Sequence, residues 1–306
     1  MEKINSFYKG KKILVTGATG FKGSWLCLWL HLLGAKVYGL GNNPNKNKKL
    51  FYELGLDKRI SLSIFDIRDI KKISILIKRI KPNLIFHLAA QPLIFESYKT
   101  PYETFDINVR GTLNILEVIK KNKFIRSSIF ITSDKCYENI GKVVSYKEDD
   151  QLGGIDPYSA SKSSAELTIR AYRESFFKKT KQAISSVRAG NVIGGGDWSR
   201  NRLIPDVVRS LLKKKKILIR NPNFNRPWQH VLEPLRGYLM LAMVQYNNPK
   251  KYSSAWNFGT RPNSVTSVKE IVGYMTKYWQ KGKTKFSKNK KFYEQKNLQL
   301  DIRKAK

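Results

Sequence analysis

One eight-residue string limits the possible folds more than any other part of the chain. Thr16-Gly17-Ala18-Thr19-Gly20-Phe21-Lys22-Gly23 carries glycines spaced G-x-x-G-x-x-G. It directly follows the apolar run Ile13-Leu14-Val15 and opens an apolar segment, Phe21 to Leu33, that stops at Gly34. Strand, tight turn and buried helix in that order are the start of a βαβ unit. Gly17 permits the turn, Gly20 lets backbone N–H groups approach a pyrophosphate, and Gly23 lets the helix pack closely on the sheet. Free N–H groups and the dipole at the helix N-terminus favour the phosphates. Gly17, Thr19, Gly20, Phe21, Lys22 and Gly23 are therefore the first candidate cofactor-binding residues, and the cofactor class is a dinucleotide.

The pattern repeats along the first two thirds of the chain. Apolar runs at 35–40, 61–65, 83–88, 127–132 and 183–188 alternate with helical patterns at 21–33, 69–80, 102–122 and 159–178. Strands separated by helices of this length predict a parallel sheet covered on both faces. The expected fold class is α/β: a Rossmann-type, doubly wound parallel sheet, residues 1–190, with a smaller C-terminal substrate-binding lobe, residues 191–306. In the second part, helices are predicted near 202–213, 231–246 and 266–280, with a strand near 255–258. Residues 282–306 read as basic and poorly patterned.

Composition bears on partners. The 306 residues include 58 Lys+Arg against 23 Asp+Glu, a formal charge of +35. Such an excess raises nucleic-acid binding as a rival function. The lysines, however, fall in scattered runs, 46–49, 213–216 and 288–291, which read as solvated loops and helix ends, so no specific nucleic acid is expected. Two cysteines, Cys27 and Cys136, and three histidines, His31, His87 and His230, lack metal-ligand spacing, so no metal is expected. The longest apolar stretch is too short for a membrane span and the first twelve residues have no signal-peptide core, so the expected setting is soluble and cytoplasmic.

Two further sets carry chemistry. The second strand ends in Gly39-Leu40-Gly41-Asn42-Asn43, with neither an acid for a ribose 2′-OH nor an arginine for a 2′-phosphate, which leaves NAD against NADP open. Asp66, after the third strand, is placed to accept from an adenine amino group, or else to cap a helix alongside Asp69. Tyr158 and Lys162 stand at i and i+4, on one helix face. A tyrosine of pKa about 10 is a weak base at pH 7, and a neighbouring cation lowers it. Ser133, just past the fifth strand, completes a Ser/Tyr/Lys set.

Together these motifs resemble the extended short-chain dehydrogenase/reductase family. TGATGFKGSWL (16–26), HLAAQPLIFESY (87–98), TSDKCYEN (132–139), RAGNVIGGGDWSRNRLIPD (188–206) and RPWQHVLEPLRGYL (226–239) are similar to its CDP-glucose 4,6-dehydratase branch. The resemblance implies NAD as cofactor and CDP-glucose as substrate. Tyr158 would take the O4 proton as hydride leaves C4, water would be lost across C5–C6, and hydride would return to C6. It places Asp134 as the acid for the departing O6, which requires a protonated carboxyl, and Lys135 where the dTDP-glucose branch has a glutamate base. It adds Ile67, Leu88, Ala89, Ala90, Asn108 and Thr132 to the cofactor contacts, although Asn108 has an alternative bond to backbone. Gln91, Ser133, Asn191, Trp198, Arg202, Arg226, Trp228 and His230 become substrate contacts; for both tryptophans interface packing is the alternative. It implies a homodimer or homotetramer built on helices 102–122 and 159–178. In this family a stretch like 298–306 opens a further helical segment, so the sequence reads as C-terminally truncated. The rival functions are another nucleotide-sugar dehydratase, a 4-epimerase, or a nucleic-acid binder on an inactive scaffold.

Overall fold

The computed structural model describes residues 2–42, 49–139, 145–261, 265–287 and 298–306. Asn43 and the lysine runs 46–48 and 288–291 lie outside the described residues.

Seven strands form one parallel sheet: β1 (Lys12–Thr16), β2 (Lys36–Gly41), β3 (Ser61–Ile64), β4 (Leu84–His87), β5 (Ser127–Ile131), β6 (Ala183–Arg188) and β7 (Ala255–Asn257). Their spatial order is β7-β6-β5-β4-β1-β2-β3. The order reverses direction between β1 and β4, which leaves a crevice at the carboxyl ends of the strands, where such sheets bind ligands. β4, β5 and β6 are buried along their whole length, as strands covered on both faces must be.

One face is covered by α1 (Phe21–Leu32) and the other by α2 (Ile70–Ile80), α3 (Gly111–Lys121) and α4 (Pro157–Tyr172). α2 buries Ile73, Leu76, Ile77 and Ile80, an i, i+3, i+4, i+7 stripe, and Asp69 caps it by accepting from the Lys72 N–H. The predicted helix at 102–122 is a short helix, Pro101–Phe105, a π-turn, Asp106–Arg110, and α3. α4 likewise runs on into a π-turn, Arg173–Phe177.

The chain beyond 190 both returns to the sheet and builds a small lobe. β7 pairs with β6, and α6 (Leu232–Asn247) packs beside α1 in the main core. The small lobe has its own core, in which α5 (Leu203–Leu212) and α7 (Val268–Trp279) enclose Val207, Leu211, Ile217, Ile219 and Val272. The described residues of the stretch read as unpatterned include two strands. Thr284–Ser287 pairs in parallel with Ile217–Arg220, and Gln299–Leu300 pairs with Ser145–Tyr146, burying Leu298 and Leu300 against Cys136 and Tyr137. Among the described residues no helix is long and apolar enough to cross a membrane, and no cluster of His, Cys, Asp and Glu could hold a metal.

Candidate active site

The glycine turn lies at the crevice. Gly17 has φ +71°, and a Cβ there would come within 2.8 Å of the Ala89 nitrogen and Leu88 carbonyl carbon. A Cβ on Gly23 would fall on the Gly17 carbonyl, 2.8 Å from its carbon. Gly20 caps α1 without a side-chain bond, so the first N–H groups of the helix face outward beside Phe21 and Lys22. This cradle fits a dinucleotide pyrophosphate: the glycines let the turn close on Ala89 and let α1 bring its uncapped first turn to the crevice. The glycines of β2 have a local reason too. A Cβ on Gly41 would meet the Thr19 Oγ1 at 2.7 Å, and one on Gly39 the Ala18 Cβ at 2.9 Å.

Behind the turn, Thr16 and His87 are register partners on β1 and β4. Thr16 Oγ1 lies 2.7 Å from His87 Nδ1, and Thr112 Oγ1 3.3 Å from Nε2. Burial, aided by the Lys162 charge, pushes His87 down to about 3, so the ring is neutral. An unfolded histidine titrates near 6.5. Between those values the unfolded state binds the extra proton, so stability falls on acidification, by at most about 1.4 kcal/mol per pH unit from this group. We expect His87→Gln to flatten the loss of denaturant midpoint between pH 6.5 and pH 4. An unchanged slope would assign the acid sensitivity elsewhere.

The catalytic candidates converge. Ser133 caps a 3₁₀ turn, Asp134–Cys136, accepting from the Lys135 N–H and donating to Asp134 Oδ1 at 3.1 Å. Ser133 also acts on Tyr158, favouring its phenolate. Asp156 caps α4 through the Ser159 N–H, Pro157 occupies its first turn, and the Tyr158 N–H donates to Ser97 Oγ. Lys162 reaches the Ile131 carbonyl at 3.4 Å. Burial raises Tyr158 to about 12, against the opposing Ser133 bond and Arg202 charge. The expected lowering is thus reversed in the protein alone, because the phenol is desolvated. Burial and the Lys22 charge bring Lys162 down to about 8, and burial with the Arg202 charge brings Lys22 to about 8. Asp134 is buried, with its carboxyl against Gly190, where a Cβ would lie 2.7 Å from Oδ1. Lys135 is half-buried on the same turn.

Other candidates have different partners. Both oxygens of exposed Asp66 receive Arg68, at 2.6 and 2.9 Å, and the guanidinium also reaches Asp106. That bond holds the Asp66 carboxyl below its usual range. Ile67 is buried against Gly111, and its carbonyl accepts from Asn114. Asn108 clamps the loop after β4: Oδ1 accepts from the Gln91 N–H at 2.8 Å, and Nδ2 donates to the Gln91 carbonyl and Ser161. This is the backbone alternative, and it leaves Ala89 and Ala90 fixed beside the glycine turn. The Gln91 side chain is bonded to Leu93 and Thr104. Thr132 donates to Glu166.

In the second part of the chain, Arg202 pairs with Asp197 at 3.1 Å, and its charge acts on both Tyr158 and Lys22. Asn191, in the left-handed region at φ 50°, accepts from the Gln229 N–H. Arg226 is buried beside Phe224, with Nη1 on the Asn225 carbonyl. Trp228 packs on the small-lobe core and donates to the Thr266 carbonyl, which is the packing alternative. Trp198 lines a cavity of about 160 Å³ with Ile193, Ile204 and Val208. His230 is exposed, its Nδ1 accepting from the Leu232 N–H. A polar recess of about 400 Å³ lined by Asp206, Arg209, Lys213, Lys215 and Arg220 opens nearby, and Arg220 reaches over the Phe95 ring of the large lobe. Sequence reasoning missed this recess, and with it His87, Asp197 and Gly190.

Comparison with known proteins agrees with this geometry. The chain is 47% identical to the CDP-glucose 4,6-dehydratase of Salmonella typhimurium over 279 residues, 90% of this chain and 78% of that protein. The fold superposes on the epimerase Mth375 of Methanothermobacter thermautotrophicus with a TM-score of 0.86 at 23% identity, covering 100% of this chain and 88% of the other. It superposes on the dTDP-glucose 4,6-dehydratase of Bacillus anthracis, solved with NAD, with a TM-score of 0.81 at 22% identity, covering 97% and 89%. The GDP-mannose 4,6 dehydratase family model matches residues 14–306. A match that runs from the first strand to the final lysine leaves none of the site residues outside it: the chain belongs to the GDP-mannose 4,6-dehydratase family.

Proposed function

We propose that the protein is a hydro-lyase that converts CDP-glucose to CDP-4-keto-6-deoxyglucose with NAD, a step of deoxysugar and surface-polysaccharide synthesis. The observation that carries this reading is the junction of two catalytic sets: Ser133, which acts on Tyr158, caps the turn that holds Asp134 and Lys135. An epimerase needs only the first set. The glycine turn with Ala89 and Ala90 would hold NAD, which when bound accepts a hydride from C4 of the sugar and supplies one to C6. Tyr158 takes the proton from O4, and Lys162 steadies the phenolate from one turn away. The new 4-ketone acidifies C5–H. Lys135 removes that proton, Asp134 gives one to O6, and water leaves; as C6 is reduced, Lys135 returns its proton to C5. C4 is oxidised and C6 reduced, so the sugar undergoes no net redox change.

The small lobe, built from part of 191–306, supplies the substrate side of this reading. Arg202, beside Tyr158, suits the diphosphate, and the basic recess lined by Arg209, Lys213, Lys215 and Arg220 suits the nucleotide end. The cytosine choice rests on the 47% relative. Exposed Tyr102, Leu167 and Phe176 on the helices around 101–121 and 157–177 support a dimer through that face. The test is incubation with CDP-glucose and with dTDP-glucose, each with NAD⁺. A 4-keto-6-deoxy product from CDP-glucose alone is expected. Product from dTDP-glucose alone overturns the base assignment, and an epimer instead of a ketone overturns the reaction.

A further inference from the structure

The mechanism above leaves one buried ion pair unused. Glu166 lies on α4 one turn beyond Lys162, and Arg188 ends β6; each is almost fully buried, and Nη2 meets Oε2 at 2.8 Å. Glu166 Oε1 receives the Thr132 hydroxyl, and Oε2 receives Ser186 Oγ at 2.7 Å. The other arm of Arg188, Nη1, donates to the Tyr137 hydroxyl at 2.7 Å and to the Glu148 carbonyl at 2.8 Å. Tyr137 in turn donates to Asn257 Oδ1 at 2.8 Å. Thr132 and Tyr137 are the two ends of the segment that carries Ser133, Asp134 and Lys135. The same pair therefore touches both flanks of the turn and none of its reacting side chains.

Resting on the dehydratase reading, we propose that Glu166 and Arg188 are positioning residues that hold the Asp134–Lys135 turn in register with the sugar. Tyr158 and Lys162 are placed separately, by α4, its Asp156 cap and Ser97. Loosening the clamp thus displaces Asp134 and Lys135, with Ser133 on the same turn, while Tyr158 and Lys162 stay on α4. A buried ion pair contributes little net stability compared with an apolar pair, so the bonds from this pair to both flanks of the turn are what point to a positioning role.

Two variants test this. Arg188→Lys keeps a cation opposite Glu166, but one ammonium cannot serve Glu166, Tyr137 and Glu148 together. Tyr137→Phe removes only the hydroxyl at the far end. Displacement of catalytic groups by an ångström costs up to about 100-fold, so kcat should fall about 10- to 100-fold in either variant. KM should stay near wild type. Absorbance of reduced nicotinamide during turnover should rise above wild type, because oxidation at C4 outpaces loss of water. A merely structural role would lower the melting temperature and leave that absorbance unchanged. Wild-type kcat in Tyr137→Phe, or loss of turnover in either variant without extra reduced nicotinamide, overturns the proposal. If the unmodified protein forms no keto sugar, it is the dehydratase reading that fails; if it does and the variants match it, only the clamp fails.

Discussion

Tyr158→Phe is expected to cut kcat by about 10²- to 10⁴-fold, the range for loss of a positioned acid–base group. The ring is buried and phenylalanine fills the same space, so the fold should survive with a loss of at most about 1 kcal/mol. The glycine turn does not involve the hydroxyl, so dinucleotide affinity should change little. Burial sets the scale of the problem that this residue faces. At about 12, the phenol is held protonated by the protein alone. Bringing it near pH 7 requires roughly 7 kcal/mol of differential interaction. Lys162, on the same helix face, and the positive charge of an oxidised nicotinamide are the available sources. The variant is checked by steady-state turnover alongside cofactor titration and a melt. Loss of cofactor binding together with turnover would show that Tyr158 holds the cofactor and does not act on the sugar.

What could be read from the sequence was what depends on neighbours in sequence. The β1–turn–α1 unit is legible because the glycines, the apolar run before them and the apolar helix after them are contiguous. α4 is legible because Tyr158 and Lys162 are one turn apart and Asp156-Pro157 marks its start. Gln91, Asn108 and Trp228 have protein partners that lie far along the chain, Thr104, Ser161 and Thr266, and these were not legible. Each side chain bears the polar groups that a ligand contact needs, and residue type alone does not tell a ligand from a backbone carbonyl. The pairing of Ile217–Arg220 with Thr284–Ser287 joins segments more than sixty residues apart, so no local pattern announces it. Leu298 and Leu300 looked unpatterned because their alternation lasts one strand of two residues. The charge was also misleading in bulk. Lys213 to Lys216 are exposed as expected, yet Lys213 and Lys215 line the recess that suits a nucleotide.

Two glycines with similar apparent crowding should respond in opposite ways, and the difference lies in what the added methyl meets. In Gly23→Ala the Cβ falls on the Gly17 carbonyl, 2.8 Å from its carbon and 3.0 Å from the Ala18 Cα, all backbone of the turn. That turn has no room to recoil, because Gly17 is itself held at φ +71° against the Ala89 nitrogen. α1 must move off the sheet or the pyrophosphate cradle must deform. Overpacking of this kind costs about 1–3 kcal/mol, and the outward N–H donors lose their aim. Gly23→Ala should therefore lower the melting temperature and abolish the stabilisation that added NAD confers on the parent protein. In Gly190→Ala the Cβ meets the carboxyl of Asp134, a side chain that can rotate aside. The fold and cofactor binding should persist while turnover falls about 10²-fold or more, since the acid for O6 no longer sits where the Ser133 turn holds it. Melts with and without NAD, and turnover of CDP-glucose, separate the two. NAD binding at wild-type strength by Gly23→Ala would remove the glycine turn as the dinucleotide cradle, and full turnover by Gly190→Ala would remove Asp134 as the acid.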